Sequence, residues 1–438
     1  MATKHKKLNA LFLPYFTTSH FTPLVDMARL FATRGVTVTI ITTPTIALML
    51  QPCINRATSA GHQITFHTIK FPAAEVGLPK GIEDFSSLTS AEMMPKLYRG
   101  IYLLQKPMEQ LVRNIRPDCI VTDMFFPWTV DIAEELNIPR IMLYVNNSFY
   151  HSVFHNLMIH KPHEKVGSDS EGFVVPGLPD EIEMTRSQLE DYLKTETWFG
   201  KLMNRIKESE TQSFGVVFTS YSGIEPNYVH YYKNVVGRKC WHVGLPSLFV
   251  GRENRTDTER HSCLSWLDYQ KPNSVLYICF GSLTRFPDTQ LTEIALALEE
   301  SEHPFVWVVN KIGTSVEKEG ESWLPEGFEE RVNESNKGVI IRDWAPQNEK
   351  LVTRVLKLGV EVGSGEWNFG FEIGTPVVGK DKIVNAVKRL MGGSEEAQEM
   401  RRRAREVSVV AKRSVDEGGS SSSDLNSLIG EINAYVFR

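Results

Sequence analysis

The sequence predicts an α/β protein made of two doubly wound parallel sheets facing a cleft. Three observations carry that class. The chain's 438 residues exceed what one hydrophobic core usually organises. Short apolar, β-branched runs alternate with amphipathic segments of helical period, the mark of a parallel sheet covered on both faces. The alternation stops once, over the polar, turn-rich "GLPSLFVGRENRTDTERHS" (244–262), and then restarts.

Taken in order, "NALFLPYF" (9–16) is the first strand. "TPLVDMARLFATRG" follows as a helix with Leu24, Met27, Ala28 and Phe31 on one face, and Gly35 stops it. "VTVTIITT" (36–43) is β-branched throughout, as a strand buried on both faces should be. "DCIVTDM" (118–124) and "RIMLYV" (140–145) repeat the theme around a "VDIAEELN" helix. After the pause come "SVLYICFGS" (274–282), the helix "TQLTEIALALEES", "FVWVVN" (305–310) and "GVIIRDW" (338–344). The expected division is 1–245, a linker over 246–262, 263–422, and a terminal helix over 423–438. In that last segment a Gly-Ser break and a capping Ser or Asp precede Leu425, Leu428, Ile429 and Ile432. Their spacing calls for docking, back toward the first domain.

Composition narrows the function. Apolar residues at 42%, charged residues at 23% and a net charge of −5 describe a globular chain with no nucleic-acid footprint. Arg401, Arg402 and Arg403 lie in "EEAQEMRRRAREVSVVAKRSV", which reads as one charged helix with a solvated face. Five scattered cysteines without a C-x-x-C pair suggest reduced thiols, and no apolar run spans a bilayer. The expectation is a cytoplasmic monomer.

Two polar residues stand at strand ends. His20 follows the first strand in "YFTTSH" and begins a helix, where an imidazole can serve as general base. Asp123 ends another strand of the same sheet and is placed to orient it, as in other base-plus-orienter pairs. His151 and His155 in "HSVFH" have i, i+4 spacing but neither the zincin Glu nor a third ligand, so they read as structural or pocket-lining. The first βα turn lacks glycine, which excludes a nicotinamide fingerprint. Walker and serine-elbow motifs are absent as well.

"FLPYFTTSHFTPLVDMARLFATRGVTVTIITTP", "CIVTDMFFPW", "VPGLPDEIEMTRSQL", "SVLYICFGSLTRF" and "WAPQ" resemble the plant family-1 UDP-dependent glycosyltransferases. In detail they are similar to the subgroup acting on triterpenoid sapogenols, abscisate and flavonoids. The resemblance implies a GT-B fold, with an acceptor-binding domain first and a UDP-sugar-binding domain second. It implies His20 as base and Asp123 as its partner, a UDP-sugar co-substrate, a small-molecule acceptor, and no metal or other cofactor. On the donor side it implies Trp344 stacked on uracil, the Ala345 backbone at its edge, Gln347 at the ribose and Ser282 near the diphosphate. Phe125, Asn146 and Phe149 are expected at the acceptor pocket, with "FPAAEVGLPKGIEDF", "VNNSFYHSVFHNLM" and "EDYLKTETWFG" lining it.

One departure is large. The family's signature box runs roughly forty-four residues from the tryptophan of "WAPQ". Here Gln347 passes directly into "NEKLVTRVLKLGVEVG", which resembles the family's stretch downstream of the box. About forty residues are therefore expected to be missing between 347 and 348, leaving the second domain incomplete and "SVLYICFGS" with an exposed apolar edge. "EWNFGFEIGTPVV" (366–378) echoes the box through Trp367, Asn368 and Glu372. It lacks the His-Cys-Gly before Trp and the acidic-Gln pair after it, and fits the variable segment beyond the box. Two readings remain: a hexosyltransferase by descent, or an inactive truncated form that binds acceptor or an intact relative but not UDP-sugar.

Overall fold

The computed structural model describes residues 7–250, 262–280, 286–309, 324–341, 351–363 and 377–438. Nine strands precede residue 243: β1 (Asn9–Leu13), β2 (Thr37–Thr42), β3 (Ile64–Thr68), β4 (Cys119–Asp123), β5 (Arg140–Tyr144), β6 (Gly172–Val174), β7 (Glu183–Thr185), β8 (Gly215–Phe218) and β9 (Cys240–His242). Seven of them form a parallel sheet in the order β3-β2-β1-β4-β5-β8-β9, while β6 and β7 pair as a separate antiparallel hairpin. Every residue of β4 and β5 is buried, as helices on both faces require. The helix Thr18–Thr33 sinks Leu24, Met27, Ala28 and Phe31 to zero exposure. It ends as Gly35 turns to φ +81°, a conformation costly for other residues.

The strand order reverses at β1, which pairs with β2 on one side and β4 on the other. Ligands of doubly wound sheets bind at such a switch point, beyond the strands' carboxyl ends. His20 follows β1 and Asp123 ends β4. The topology therefore delivers both residues to one crevice.

The second sheet holds β10 (Leu276–Cys279), β11 (Phe305–Val308) and β12 (Gly338–Ile341), parallel and in that order. Trp307, Phe305 and Phe328 fill its core beneath the helix Asp288–Ser301. Among the described residues β10 pairs with β11 alone, and Tyr277 on it is 60% exposed. Beyond it, a single turn at Leu351–Val355 brings Val355 and Leu356 against a core cluster of the first unit that includes Phe149, Val153 and Leu157.

Three helices close the chain. In Glu395–Ser414 the arginine run is spoken for: Arg402 and Arg403 pair with Glu399, and Arg401 donates to the Leu390 and Gly392 carbonyls that end the preceding helix. The last helix, Ser420–Val436, begins earlier than its sequence suggests. Its N-cap is Gly419, so the serine run is helical, with Ser421 and Ser422 buried. Asp424 is no cap; it accepts the His242 backbone N–H at 2.7 Å. Leu425, Leu428, Ile429 and Ile432 enter the same core as β1 and β4.

Within 246–262, Pro246–Val250 form a short helix, and its Phe249 packs on the larger core. All five cysteines are free thiols. No helix among the described residues is long and apolar enough to cross a membrane.

Candidate functional site

His20 and Asp123 meet. The imidazole Nδ1 lies 2.7 Å from Asp123 Oδ2, and the other carboxylate oxygen accepts the Phe125 backbone N–H at 3.0 Å. The Asp123 side chain has no exposure and that of His20 has 14%. A carboxylate so placed selects the tautomer with the proton on Nδ1, which donates to it. The Nε2 lone pair is then the one available to a substrate. Tyr15 sits beside the pair, and its phenol is held well above its usual pKa by burial, with Tyr98 and Asp123 adding. It stays neutral, a wall rather than an acid.

Beside the pair runs a closed circuit of six rings. Tyr15 meets Phe85 (5.8 Å), Phe85 meets Tyr98 (4.9 Å), and Tyr98 meets Trp198 (4.8 Å). Trp198 meets Phe199 (5.6 Å), Phe199 meets Phe125 (6.3 Å), and Phe125 returns to Tyr15 (4.7 Å). The His20 ring touches two members, Phe125 at 5.4 Å and Tyr15 at 6.0 Å. Tyr15 and Phe85 form the buried base, whereas Trp198 is 58% exposed. Flat apolar surfaces of this kind suit a rigid, apolar alcohol. Of the expected pocket residues, Phe125 belongs to this circuit and two do not. Asn146 is half-buried, its side chain bonded to His151 Nε2 at 2.6 Å. Phe149 is 7% exposed and packed edge-on against Tyr228, in a separate core cluster with Val153 and Leu157.

His151 is no ligand. It is buried 3.6 Å from the Tyr144 ring, and burial lowers its pKa to about 3, so the imidazole is neutral. Among the described residues no group of three or more His, Cys, Asp or Glu could hold a metal ion. Ser148 Oγ lies 2.6 Å from His242 Nε2, with Asp424 4.0 Å beyond Nδ1. That arrangement has the residue types of a hydrolase triad, but Ser148 and His242 have no exposure and reach no substrate.

The helix Ser148–His160 is anchored by a residue that sequence reasoning missed. Glu225 is buried and accepts the N–H groups of Ser148 (3.1 Å) and Phe149 (2.8 Å), as well as the Ser220 hydroxyl. Burial pushes its pKa up to about 7, against those hydrogen bonds. A carboxyl raised in the fold favours the protonated native state, so its contribution is full below the ordinary carboxylate range and is lost as pH climbs toward 7. Wild type should therefore lose roughly 3 kcal/mol from this group between pH 4.5 and 8. Asp26, Asp84 and Glu190, also raised by burial, act in the same direction and remain in both proteins. Urea midpoints across that range should fall less steeply for Glu225→Gln than for wild type.

With this geometry in view, likeness to known proteins decides the family. The soyasapogenol B glucuronide galactosyltransferase of Glycine max is 42% identical, over 99% of this chain and 97% of that enzyme. This chain belongs to the plant family-1 UDP-dependent glycosyltransferases. Solanidine UDP-glucose glucosyltransferase 1 of Solanum tuberosum is also 42% identical, over 98% of this chain and 97% of its own length. Among solved structures, Glycyrrhiza uralensis UGT73P12, complexed with glycyrrhetinic acid 3-O-monoglucuronide, superposes with a TM-score of 0.91. It is 39% identical and covers 98% of this chain and 96% of its own. No family model matches the chain. The fold of these glycosyltransferases is GT-B, as the two sheets here are. The residues expected on the donor side, Ser282, Trp344, Ala345 and Gln347, all lie outside the described residues, as does most of 366–378.

Proposed function

We propose that this fold serves inverting transfer of a hexose from a UDP-sugar to a hydroxyl of a small plant secondary metabolite of triterpenoid sapogenol, flavonoid or hormone type. The His20–Asp123 contact carries the reading. His20 Nε2 takes the proton of the acceptor hydroxyl as its oxygen attacks the anomeric carbon. The C–O bond to UDP breaks on the opposite face, the configuration inverts, and UDP leaves with the electron pair. Asp123 holds the Nδ1 tautomer and stabilises the imidazolium that forms. Trp344, Ala345, Gln347 and Ser282 are assigned to uracil, ribose and diphosphate, in a soluble, cytoplasmic monomer that uses no metal. The relatives' names support the acceptor class, since one is named for soyasapogenol B glucuronide and another for solanidine. The aromatic circuit beside His20 supports it independently.

A second reading concerns this chain as written: it keeps the acceptor side and lacks a complete donor clamp between 347 and 348. Alignment with the Glycine max enzyme runs over 483 positions, which exceed the chain's 438 residues by 45, so at least that many fall in gaps on this side. Among the described residues β10 lies at the sheet's edge, which is where the box would supply further strands. Charge-assisted hydrogen bonds to a diphosphate are worth about 1.5–3 kcal/mol each, and losing several removes ordinary donor affinity. Calorimetric titration with UDP should show no binding to the chain as written and clear binding once a relative's box is inserted after Gln347. Equal binding by both would mean that residues 344–378 rebuild the clamp.

A further inference from the structure

Arg140 opens β5 at 2% exposure, and among the described residues no carboxylate lies within ion-pair reach of it. Burial lowers its pKa to about 10, so it remains a cation at neutral pH. Tyr144, Asp131 and Asp123 favour the cation only from a distance, and a buried guanidinium without a carboxylate in contact is an expensive way to fill a core, where an apolar side chain of similar volume is often as good or better. What distinguishes it is the set of groups it holds. Its Nε donates to Thr129 Oγ1 at 2.7 Å and its Nη2 to the Phe126 carbonyl at 3.3 Å. Its Nη1 donates to Ser213 Oγ at 2.5 Å and to the Ser209 carbonyl at 3.3 Å.

Those acceptors sit on two segments, and both lead to the candidate site. Phe126 lies on the loop leaving β4 and Thr129 opens the helix after it, and Thr129 Oγ1 itself donates to the Phe126 carbonyl at 2.6 Å. On that loop the Phe125 N–H orients Asp123 Oδ1, while the Phe125 ring borders His20. Ser209 and Ser213 lie at the far end of the helix whose first turn carries Trp198 and Phe199. We propose that Arg140 is a positioning residue for the His20–Asp123 pair, fixing the loop that sets the carboxylate and pinning that loop to the helix bearing the aromatic wall. The proposal rests on His20 and Asp123 acting as base and orienter. It adds that their geometry is imposed from beneath by one buried cation, so that the loop's freedom and the imidazole's hydrogen bond change together.

The test needs neither donor nor acceptor and uses the full chain. A proton shared between His20 Nδ1 and Asp123 gives a low-field proton resonance in water, assigned by its loss in His20→Gln and Asp123→Asn. Arg140→Met should lose this resonance at temperatures well below its own unfolding midpoint. Arg140→Lys, which keeps the charge and can reach one acceptor, should retain it. A folded Arg140→Met with the resonance at the wild-type position overturns the proposal and leaves Arg140 a core residue. Should Arg140→Met not fold, Thr129→Val removes the acceptor of the Arg140 Nε at nearly constant volume, and its resonance decides by the same criterion. If wild type shows no His20-dependent resonance, the base-and-orienter reading fails first and the proposal falls with it.

Discussion

His20→Ala should lower kcat by about 10²–10⁴-fold in a box-restored form of this chain, because the substitution removes general-base catalysis. The imidazole is 14% exposed at its side chain, and it is tied to the protein through Asp123. Truncation leaves the buried Asp123 carboxylate without its imidazole partner, so a stability loss of about 1–3 kcal/mol should accompany the kinetic one. UDP affinity should be unchanged, since His20 follows β1 of the first sheet and the donor residues belong to the second half of the chain. Asp123→Asn is the finer probe. An amide in that place can present its N–H₂ to Nδ1, which favours the tautomer with the proton on Nε2 and removes the base. Its kcat should fall almost as far as that of His20→Ala. The double variant should be little worse than either single one, because the two residues act as a unit. Initial rates with a triterpenoid monoglucuronide acceptor and saturating UDP-sugar would decide this. Strictly additive losses would mean that Asp123 acts elsewhere.

That pair was legible in the sequence, and the reason is topological. β1 and β4 read as strands because every position but one in them is buried, so apolar residues dominate both. A polar residue that ends such a run, as Asp123 does, or lies in the first turn of the helix after it, as His20 does, stands at the mouth of the sheet. The aromatic circuit was not legible in the same way. Its members come from the turn after β1, the segment before Ser87, the helix Met93–Ile115, the loop after β4 and the helix Trp198–Thr211, and no local period links them. The "FPAAEVGLPKGIEDF" and "EDYLKTETWFG" stretches do supply Phe85, Trp198 and Phe199. Phe149 stands outside the circuit on a helix with eight buried residues, polar and apolar alike, so sequence could not say which side faced the crevice. Arg140 and Glu225 escaped notice because burial of a charge is decided by tertiary partners.

The serine run at 420–423 taught the opposite lesson about the last helix, where packing overrode a poor local preference. Serines in a helix's first turn add little propensity, yet Ser421 and Ser422 are buried and helical because the apolar stripe behind them is anchored. Leu425, Leu428 and Ile432 have no exposure and Ile429 has 7%, all within the core built on β1, β2 and β4. Full burial of such side chains stabilises by about 1.5–3 kcal/mol each, hence roughly 6–12 kcal/mol for the four. That is comparable to the whole stability of an ordinary domain. Polar ties from Asp424 to the His242 N–H and from Glu431 to Lys239 and Trp241 fix the register along β9. Ending the chain at Gly419 should therefore leave the seven-stranded unit without a cooperative unfolding transition, although every removed residue lies far along the chain from that sheet's last strand. Leu428→Ala alone should cost about 2–5 kcal/mol. Asp424→Ala, which frees one β9 amide, should cost less. Urea denaturation followed by far-ultraviolet circular dichroism gives the order. If the truncated chain kept a cooperative transition near the wild-type midpoint, the terminal helix would be an ornament on a sheet that folds without it.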